Sequence, residues 1–447
     1  MRMSTYCIAV QADEDEYLLI NSLTGAVDVV DTDVINLLQS DLSQGEPSIL
    51  NFLHERGHIT QASPEEEFED IRTLYERFTE NRKNLHTHMI IPTYDCNLVC
   101  PYCFLSDLRK KGTQWLSTVI SQELIDKVFE AIAEVDGTEK GRIALYGGEP
   151  LMEKTMPAVE EILERGESLG HSFIILTNGV SLCQYMDLLR GRNVTLQVTI
   201  DGPKNLHDKR RIRKDGTGSF DQIAAGIDAA LKENLRVFLR TNLDSENLGA
   251  LSEVVDFARK KGWVDNPLLS MHFSPIFEKT CGTYKHSMQR KDVYTAVVSN
   301  ATSHQELNTV SFDHKGIAVL ERLFLKGELG APRFWYCEAN DDMIIYDPFG
   351  DLYVCFEHVG DEAGRVGRYD PELKWNEKYS QWRERTIFTI PECKECKYAL
   401  LCGGGCGFAA LEKYGSLDRP LCLEYHEILN VVVPHLYRSR REDLAQT

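Results

Sequence analysis

The chain has 447 residues, 43% hydrophobic and 26% charged, which is typical of soluble globular proteins and is long enough for two or three domains. A formal net charge of −20 excludes an extended basic surface for nucleic acid. The sequence shows no signal peptide and no apolar run long enough to span a membrane, so we expect a cytoplasmic protein.

Residues 1–86 combine short apolar strands with helical segments. Strands are predicted at 6–10, 16–20 and 26–30, and helices at 33–42, 48–56 and 64–81. This order resembles the small winged-helix modules called RiPP recognition elements. The resemblance implies that the module captures the leader segment of a ribosomally made precursor peptide, which adds as a strand to an open sheet edge. A purely structural extension is the alternative.

Residues 87–310 alternate strands with helices. Strands are predicted at 88–93, 142–146, 173–177, 195–200, 236–241 and 268–273, and helices at 121–135, 156–168, 184–190, 220–233 and 248–262. The alternation predicts an α/β fold with parallel strands in a barrel or partial barrel. Chemistry in parallel barrels gathers at the C-terminal ends of the strands.

Three cysteines, Cys96, Cys100 and Cys103, follow the first of these strands. Three thiolates alone do not close a tetrahedral zinc site, whereas they hold three corners of a four-iron cluster. The fourth iron is then free to bind a small molecule through nitrogen and oxygen. A zinc knuckle is the alternative, but the next cysteine, Cys183, lies far along the chain and is expected to be buried and inert, as is Cys7.

This spacing, with Tyr102 before the last cysteine, resembles the radical S-adenosylmethionine (SAM) enzymes. The resemblance implies a partial (β/α)6 barrel in which the open iron chelates the amino and carboxylate groups of SAM. An electron from a flavodoxin- or ferredoxin-type reductant then cleaves the sulfonium, and the 5′-deoxyadenosyl radical abstracts a hydrogen atom from the substrate.

Polar and glycine residues at the later strand ends resemble the SAM-binding motifs of this family. Gly147-Gly148-Glu149-Pro150 ends the second strand, and its glycines would let backbone approach a ligand closely. Arg211 falls where an arginine for the SAM carboxylate is expected. Asn242 and His272 are expected to line the cavity. The implied contacts to SAM are Tyr102, Gly147, Gly148, Glu149, Asn178, Thr199, Asp201 and Arg211.

Seven further cysteines lie in residues 331–430, after a linker with a helix at 311–330 and before a tail at 431–447. They are Cys337, Cys355, Cys393, Cys396, Cys402, Cys406 and Cys422. Their spacing resembles the SPASM domain of peptide- and protein-modifying radical SAM enzymes, which usually carries two auxiliary clusters; a zinc ribbon is the alternative. With the first three cysteines, the resemblance implies three [4Fe-4S] clusters.

The family's ligand assignment carries over by position. It gives an outer set of Cys393, Cys396, Cys402 and Cys422, and an inner set of Cys337, Cys355 and Cys406. No cysteine directly precedes Cys337, so the inner cluster has an open iron unless Cys281 fills it. An open iron would bind a cysteine thiolate of a precursor peptide.

The resemblance therefore implies a peptide maturase that forms a carbon–sulfur (thioether) cross-link. A sulfatase-maturing enzyme, which oxidises cysteine or serine to formylglycine, is the alternative. In that group an aspartate follows the second SPASM cysteine, whereas Phe356 and Glu357 follow Cys355 here. Carbon–carbon cross-linking, epimerisation and decarboxylation remain open. A non-catalytic leader-binding or electron-transfer protein is the alternative of another class. No residue is assigned as catalytic.

Overall fold

The computed structural model describes residues 1–80, 85–137, 139–276, 284–303, 307, 311–312, 315–326, 331–422 and 424–446. Cys281 lies outside the described residues, so its expected place beside a cluster is untested. Within the described part of the chain, every helix is too short or too polar to span a lipid bilayer.

The strands and helices are numbered in chain order. The strands are β1 (Arg2–Met3), β2 (Cys7–Gln11), β3 (Glu16–Asn21), β4 (Val27–Asp31), β5 (Ile59–Thr60), β6 (Thr87–Ile90), β7 (Arg142–Leu145), β8 (Ser172–Thr177), β9 (Val194–Thr199), β10 (Arg236–Leu243), β11 (Leu269–Pro275), β12 (Ser311–Phe312), β13 (Met343–Tyr346), β14 (Asp351–Tyr353), β15 (Gly367–Arg368) and β16 (Lys374–Trp375). The helices are α1 (Thr32–Gln39), α2 (Pro47–Glu55), α3 (Pro64–Glu80), α4 (Thr113–Leu116), α5 (Gln122–Asp136), α6 (Met156–Ser168), α7 (Met186–Leu189), α8 (Lys204–Arg210), α9 (Phe220–Lys232), α10 (Leu251–Lys260), α11 (Arg290–Ser303), α12 (Lys315–Lys326), α13 (Glu377–Glu384), α14 (Ala399–Cys402), α15 (Gly407–Tyr414) and α16 (Tyr425–Gln446).

A single sheet of eleven described strands organises the middle and C-terminal parts of the chain. Its order is β12-β11-β10-β9-β8-β7-β6-β13-β14-β15-β16. Strands β6 to β11 run parallel, and helices connect them. This confirms the predicted α/β fold with a partial barrel, because parallel neighbours require a crossover between them.

The helices of the barrel form where the sequence supplies both a cap and an apolar stripe. In α5, the hydroxyl of Ser121 accepts a hydrogen bond from the amide of Leu124, and Gly137 ends the helix at a φ of +60°. One face of α5 is buried against the barrel, through Ile125, Val128, Phe129 and Ile132. This spacing is the i, i+3, i+4, i+7 pattern of a helix that packs on a sheet.

Strand β13 brings the C-terminal module into the barrel sheet, which the sequence did not predict. It pairs in parallel with β6, so that Ile345 lies beside Met89 and Tyr346 beside Ile90. All four residues of β13 are buried. The edge of β6 supplies backbone hydrogen-bond partners for β13, and packing on both faces of the sheet buries its apolar side chains.

The N-terminal module is an antiparallel sheet, β2-β3-β4, followed by α1, α2 and α3. One face of the sheet packs against α1 and α2, and the other contacts α16 through Leu429 and Val433. Because α16 continues from Tyr425 to Gln446, the expected boundary at residue 430 falls inside this helix.

Two histidines and an aspartate lie where the first barrel strand begins. The Nδ1 atom of His86 is 2.6 Å from one carboxylate oxygen of Asp136, and the Nε2 atom of His88 is 2.8 Å from the other. Burial lowers the pKa of His88, so its imidazole is neutral and donates through Nε2. Asp136 therefore joins the end of α5 to the start of β6.

We expect Asp136→Asn to destabilise the barrel by about 1–3 kcal/mol, because an amide nitrogen replaces one acceptor and leaves a buried histidine unpaired. Asp126→Asn is the matched control: that side chain lies on the same helix, is 52% exposed and should change stability by less than about 0.5 kcal/mol. Thermal unfolding followed by circular dichroism measures both. Equal midpoints for the two variants would contradict the prediction.

Candidate active site

The loop that carries the first three cysteines is fixed at both ends by hydrogen bonds. The hydroxyl of Thr93 donates to the carbonyls of Leu116 and Thr118, at 3.1 and 2.8 Å. The amide of Cys103 donates to the carbonyl of Cys100. Burial raises the pKa of the Cys100 thiol to about 11, although Arg211 lowers it.

The spacing of the sulfur atoms is wider than a single zinc ion requires. Two thiolates on one tetrahedral zinc lie about 3.8 Å apart, given a zinc–sulfur bond of about 2.3 Å. Among the described cysteines, no three sulfur atoms lie within 4.8 Å of one another. This arrangement disfavours a zinc knuckle and a zinc ribbon.

The turn after β7 contacts this loop directly. The amide of Gly148 donates to the carbonyl of Thr93 at 3.1 Å, and the amide of Glu149 donates to the carbonyl of Asp95 at 2.8 Å. A Cβ atom on Gly148 would lie 2.1 Å from the carbonyl oxygen of Asp95. We expected the glycines to permit the approach of a ligand; in the structure, the segment they admit is the cysteine loop itself.

The Glu149 carboxylate connects the turn after β7 with the end of β8. It is 1% exposed and accepts hydrogen bonds from the hydroxyl of Thr177, the amide of Asn178 and the amide of Leu151, at 2.6, 2.6 and 2.9 Å. Burial raises its pKa to about 7. The Asn178 amide group in turn donates to the side-chain oxygen of Asn97, at 2.6 Å, and lies 3.7 Å from the sulfur of Cys96.

Tyr102, Asp201 and Arg211 form one buried hydrogen-bonded group. The hydroxyl of Tyr102 donates to the Asp201 carboxylate and accepts from the Arg211 guanidinium at 2.9 Å. The backbone amide of Asn242 also donates to that carboxylate, at 3.0 Å. Asp201 was expected to contact SAM, but its side chain is 0% exposed and is not part of the cavity wall. It holds Tyr102 and Asn242 instead.

One cavity of about 1450 Å³ connects the first three cysteines with the C-terminal module. Of the residues expected at the SAM site, its wall includes Tyr102, Gly147, Gly148, Glu149, Asn178, Thr199 and Arg211. Asn242 and His272 also line it. The opposite wall contains the inner cysteines, Cys337, Cys355 and Cys406, and also Cys422.

The structure brings the C-terminal cysteines together in two sets. Burial raises the pKa of Cys393 to about 12, and Cys402, Cys396 and Cys422 raise it further. Burial also raises the pKa of Cys355, with contributions from Cys406 and Cys337. These are the outer and inner sets.

Two cysteines outside these sets differ in environment. Cys7 is 2% exposed, as expected, and its sulfur lies 3.4 Å from the Nδ1 atom of His58. Cys183 is exposed, so the expectation that it is buried is wrong. It lies in a 3₁₀ segment, Leu182–Tyr185, in which Leu182 and Tyr185 take the buried positions.

Several charged residues of the cavity wall were not predicted as site residues, among them Arg240 and Glu357. Arg240 lies in the middle of β10 and donates to the side-chain oxygens of Asn242 and Ser274, at 2.8 and 2.6 Å. Burial raises the pKa of Glu357 to about 8, and Arg240 lowers it. The alternation of Phe238, Arg240 and Asn242 with buried residues along β10 was the available signal.

We expect Gly148→Ala to lower the iron content of the protein, because the added methyl group would displace the loop that carries Cys96, Cys100 and Cys103. Gly249→Ala is the control, since a Cβ atom there meets nothing within 4 Å. Iron and sulfide contents of anaerobically purified protein measure the effect. Equal iron in G148A and G249A would contradict this role of Gly148.

The comparisons with known proteins agree with this geometry. Residues 90–258 match the Radical SAM superfamily. A serine-type anaerobic sulfatase-maturating enzyme of Bacteroides thetaiotaomicron is 28% identical over 379 residues, which cover 78% of this chain and 90% of that protein.

Two solved structures share the fold. Native anSMEcpe with bound AdoMet and Cp18Cys peptide is 18% identical, with a TM-score of 0.59 over 80% of this chain and 99% of that one. Streptococcus suis SuiB bound to precursor peptide SuiA is 15% identical, with a TM-score of 0.55 over 94% of this chain and 98% of that one. The family match covers β7 to β10, whose ends contribute to the site, so residues 90–258 form a radical SAM domain and the chain is an enzyme.

Proposed function

We propose that the chain modifies a ribosomally made precursor peptide and joins a cysteine sulfur of that peptide to a carbon atom, forming a thioether. The observation that carries this proposal is the continuous cavity between the first three cysteines and the inner set. A substrate in this cavity would lie between a site for hydrogen abstraction and a site for a thiolate. The solved structures that share the fold contain peptides, Cp18Cys in one and SuiA in the other.

The residues in the cavity wall fit SAM and iron–sulfur clusters. The Nε atom of Arg211 is buried and has no hydrogen-bond partner among the described residues, which suits the carboxylate of SAM. We propose three [4Fe-4S] clusters on the ten cysteines, with a flavodoxin- or ferredoxin-type protein as reductant. When bound, SAM and the first cluster would supply a 5′-deoxyadenosyl radical, which takes a hydrogen atom from the substrate. The auxiliary clusters would accept the electron that is released as the carbon–sulfur bond forms.

The chain's own residues would hold the reactants in place. Arg211 would bind the SAM carboxylate, and the Thr199 hydroxyl would donate to SAM. The exposed rings in the cavity wall, Phe238 at 40% and Phe356 at 39%, would contact apolar parts of the peptide. The inner set provides three thiolates, which leaves one ligand position of a four-iron cluster for a peptide cysteine. Cys422, which also lines this part of the cavity, belongs to the outer set in this proposal and is not counted as a ligand of the inner cluster.

Formation of formylglycine is the second candidate. The named relative at 28% identity is a sulfatase-maturating enzyme, and the Glu357 carboxyl group lines the cavity beside the inner set. Both candidates share the radical step and differ in the product. A thioether retains the sulfur and loses two hydrogens, whereas formylglycine made from cysteine loses the sulfur. Carbon–carbon cross-linking retains a free thiol, and epimerisation leaves the mass unchanged.

The N-terminal module offers a sheet edge for the leader segment. Among the described strands, β4 pairs with β3 alone. The amide of Asn21 donates to the carbonyl of Ala26, so these two residues form a hydrogen-bonded pair of the antiparallel ladder. Hydrogen-bonded and non-hydrogen-bonded pairs alternate along such a ladder, and Val29, opposite Leu18, falls in a non-hydrogen-bonded pair. The N–H and C=O of Val29 therefore point away from β3. The Val29 side chain is 49% exposed. We propose that the leader adds to β4 as a further strand.

Co-expression with a short peptide encoded beside the chain's own gene tests the reaction. We expect mass spectrometry to show the loss of two hydrogens per cross-link and a cysteine that no longer reacts with iodoacetamide. Cys103→Ala should give unmodified peptide, because the first cluster would lack a ligand. An aldehyde that reacts with hydrazine would instead identify formylglycine, and an unchanged free thiol would exclude the thioether.

Val29→Pro tests the sheet edge, because proline removes the outward N–H while the bonds between β3 and β4 stay intact. We expect the leader peptide to bind about tenfold more weakly, in line with one lost hydrogen bond. Val29→Thr, which keeps the N–H, is the control. Fluorescence anisotropy with a labelled leader measures the affinity, and equal affinities for V29P and V29T would exclude this edge.

A further inference from the structure

Arg385 lies at the end of α13, in the interior of the C-terminal module. Its side chain is buried, with the residue 3% exposed. One Nη atom donates to the carbonyls of Gly404 and Gly405, at 2.9 and 3.2 Å, and the other donates to the carbonyl of Leu417. Gly404 and Gly405 belong to the short loop between Cys402 and Cys406, so Arg385 holds the segment that supplies one cysteine to each set.

The electrostatic neighbours of Arg385 are cysteines of both sets. Burial lowers the pKa of Arg385, while Cys393 and Cys402 of the outer set and Cys406 and Cys337 of the inner set raise it. No carboxylate of a described residue forms an ion pair with it. The guanidinium is thus a buried positive charge whose acidic neighbours are cysteine thiols, which become anionic only as metal-bound thiolates.

The third nitrogen of this guanidinium is available to a ligand. Its Nε atom is buried and has no hydrogen-bond partner among the described residues. The Cβ position of Gly407, the residue after Cys406, lies 3.3 Å from Nε. The Nε–H group therefore lies beside the backbone that carries an inner cysteine, and a larger residue at position 407 would crowd it.

A buried guanidinium is unfavourable unless anions and hydrogen-bond acceptors surround it. Three backbone carbonyls satisfy part of this need, but they carry no net charge. A four-iron cluster with its cysteine thiolates is an anion, and its net charge and hydrogen bonds are among the factors that set its reduction potential.

We propose that Arg385 is the shared counter-cation of the two auxiliary clusters and raises the reduction potential of both. This inference rests on the proposed function, in which the seven C-terminal cysteines hold two clusters. A cation stabilises the more negative reduced state more than the oxidised state, so its removal lowers the midpoint potential. Arginine suits this position because its planar fork binds the loop carbonyls while its charge stays delocalised.

The test is an anaerobic redox titration followed by electron paramagnetic resonance, on the full chain in a C96A/C100A/C103A background that leaves only the auxiliary clusters. Arg385→Gln removes the charge and keeps an amide that donates to the loop carbonyls. Arg385→Lys keeps the charge. Arg365→Met removes one charge from a partly exposed arginine of the same module, paired with Asp351 and Glu362.

We expect R385Q to shift the midpoint potential to more negative values, with R385K and R365M close to the parent protein. A parent-like potential in R385Q, or equal shifts in R385Q and R385K, would overturn the inference. Loss of auxiliary iron from R385Q but not from R385K supports a requirement for the charge. Loss of this iron from both R385Q and R385K would assign Arg385 a purely structural role and would overturn the inference. Absence of auxiliary iron from the parent protein would instead contradict the proposed cofactors.

Discussion

The site depends on the contact between the turn after β7 and the cysteine loop after β6. Two backbone hydrogen bonds, from Gly148 to Thr93 and from Glu149 to Asp95, set the distance between these segments. The contact exists only because position 148 has no side chain. The buried carboxylate of Glu149 then fixes the next strand end, since a desolvated carboxylate must stay with its donors. Three strand ends therefore move as one unit.

Buried charged groups outside this contact follow a common rule: each is held by the chain and leaves a defined part of itself free. Arg211 binds Tyr102 through one nitrogen and keeps its Nε atom unpaired. Arg385 does the same with backbone carbonyls in the C-terminal module. The Nε atom of Arg210 likewise has no hydrogen-bond partner among the described residues, but this guanidinium binds the Asp244 carboxylate through both of its oxygens. Only the first two have cysteines among their largest electrostatic neighbours.

The sequence was sufficient to predict the alternating strands and helices, because each barrel strand is apolar and ends in polar or glycine residues. It was insufficient for β13, whose pairing with β6 joins segments some 250 residues apart and leaves no local signal. The partners of Asp201 could not be predicted, because a carboxylate at a strand end has the same sequence pattern whether it faces a ligand or a tyrosine. Arg240 was missed because it lies in the middle of a strand rather than at its end.

The pairing of β13 with β6 also determines how the two halves of the cavity are related. Cys337 lies shortly before β13, and Cys355 follows β14, the antiparallel neighbour of β13. The first three cysteines follow β6. Backbone hydrogen bonds of one sheet, rather than a flexible linker, therefore fix Cys337 and Cys355 relative to the first three cysteines. In the function proposed above, a peptide that spans this cavity would meet both sets at a fixed separation, as a reaction between a carbon radical and a thiolate requires.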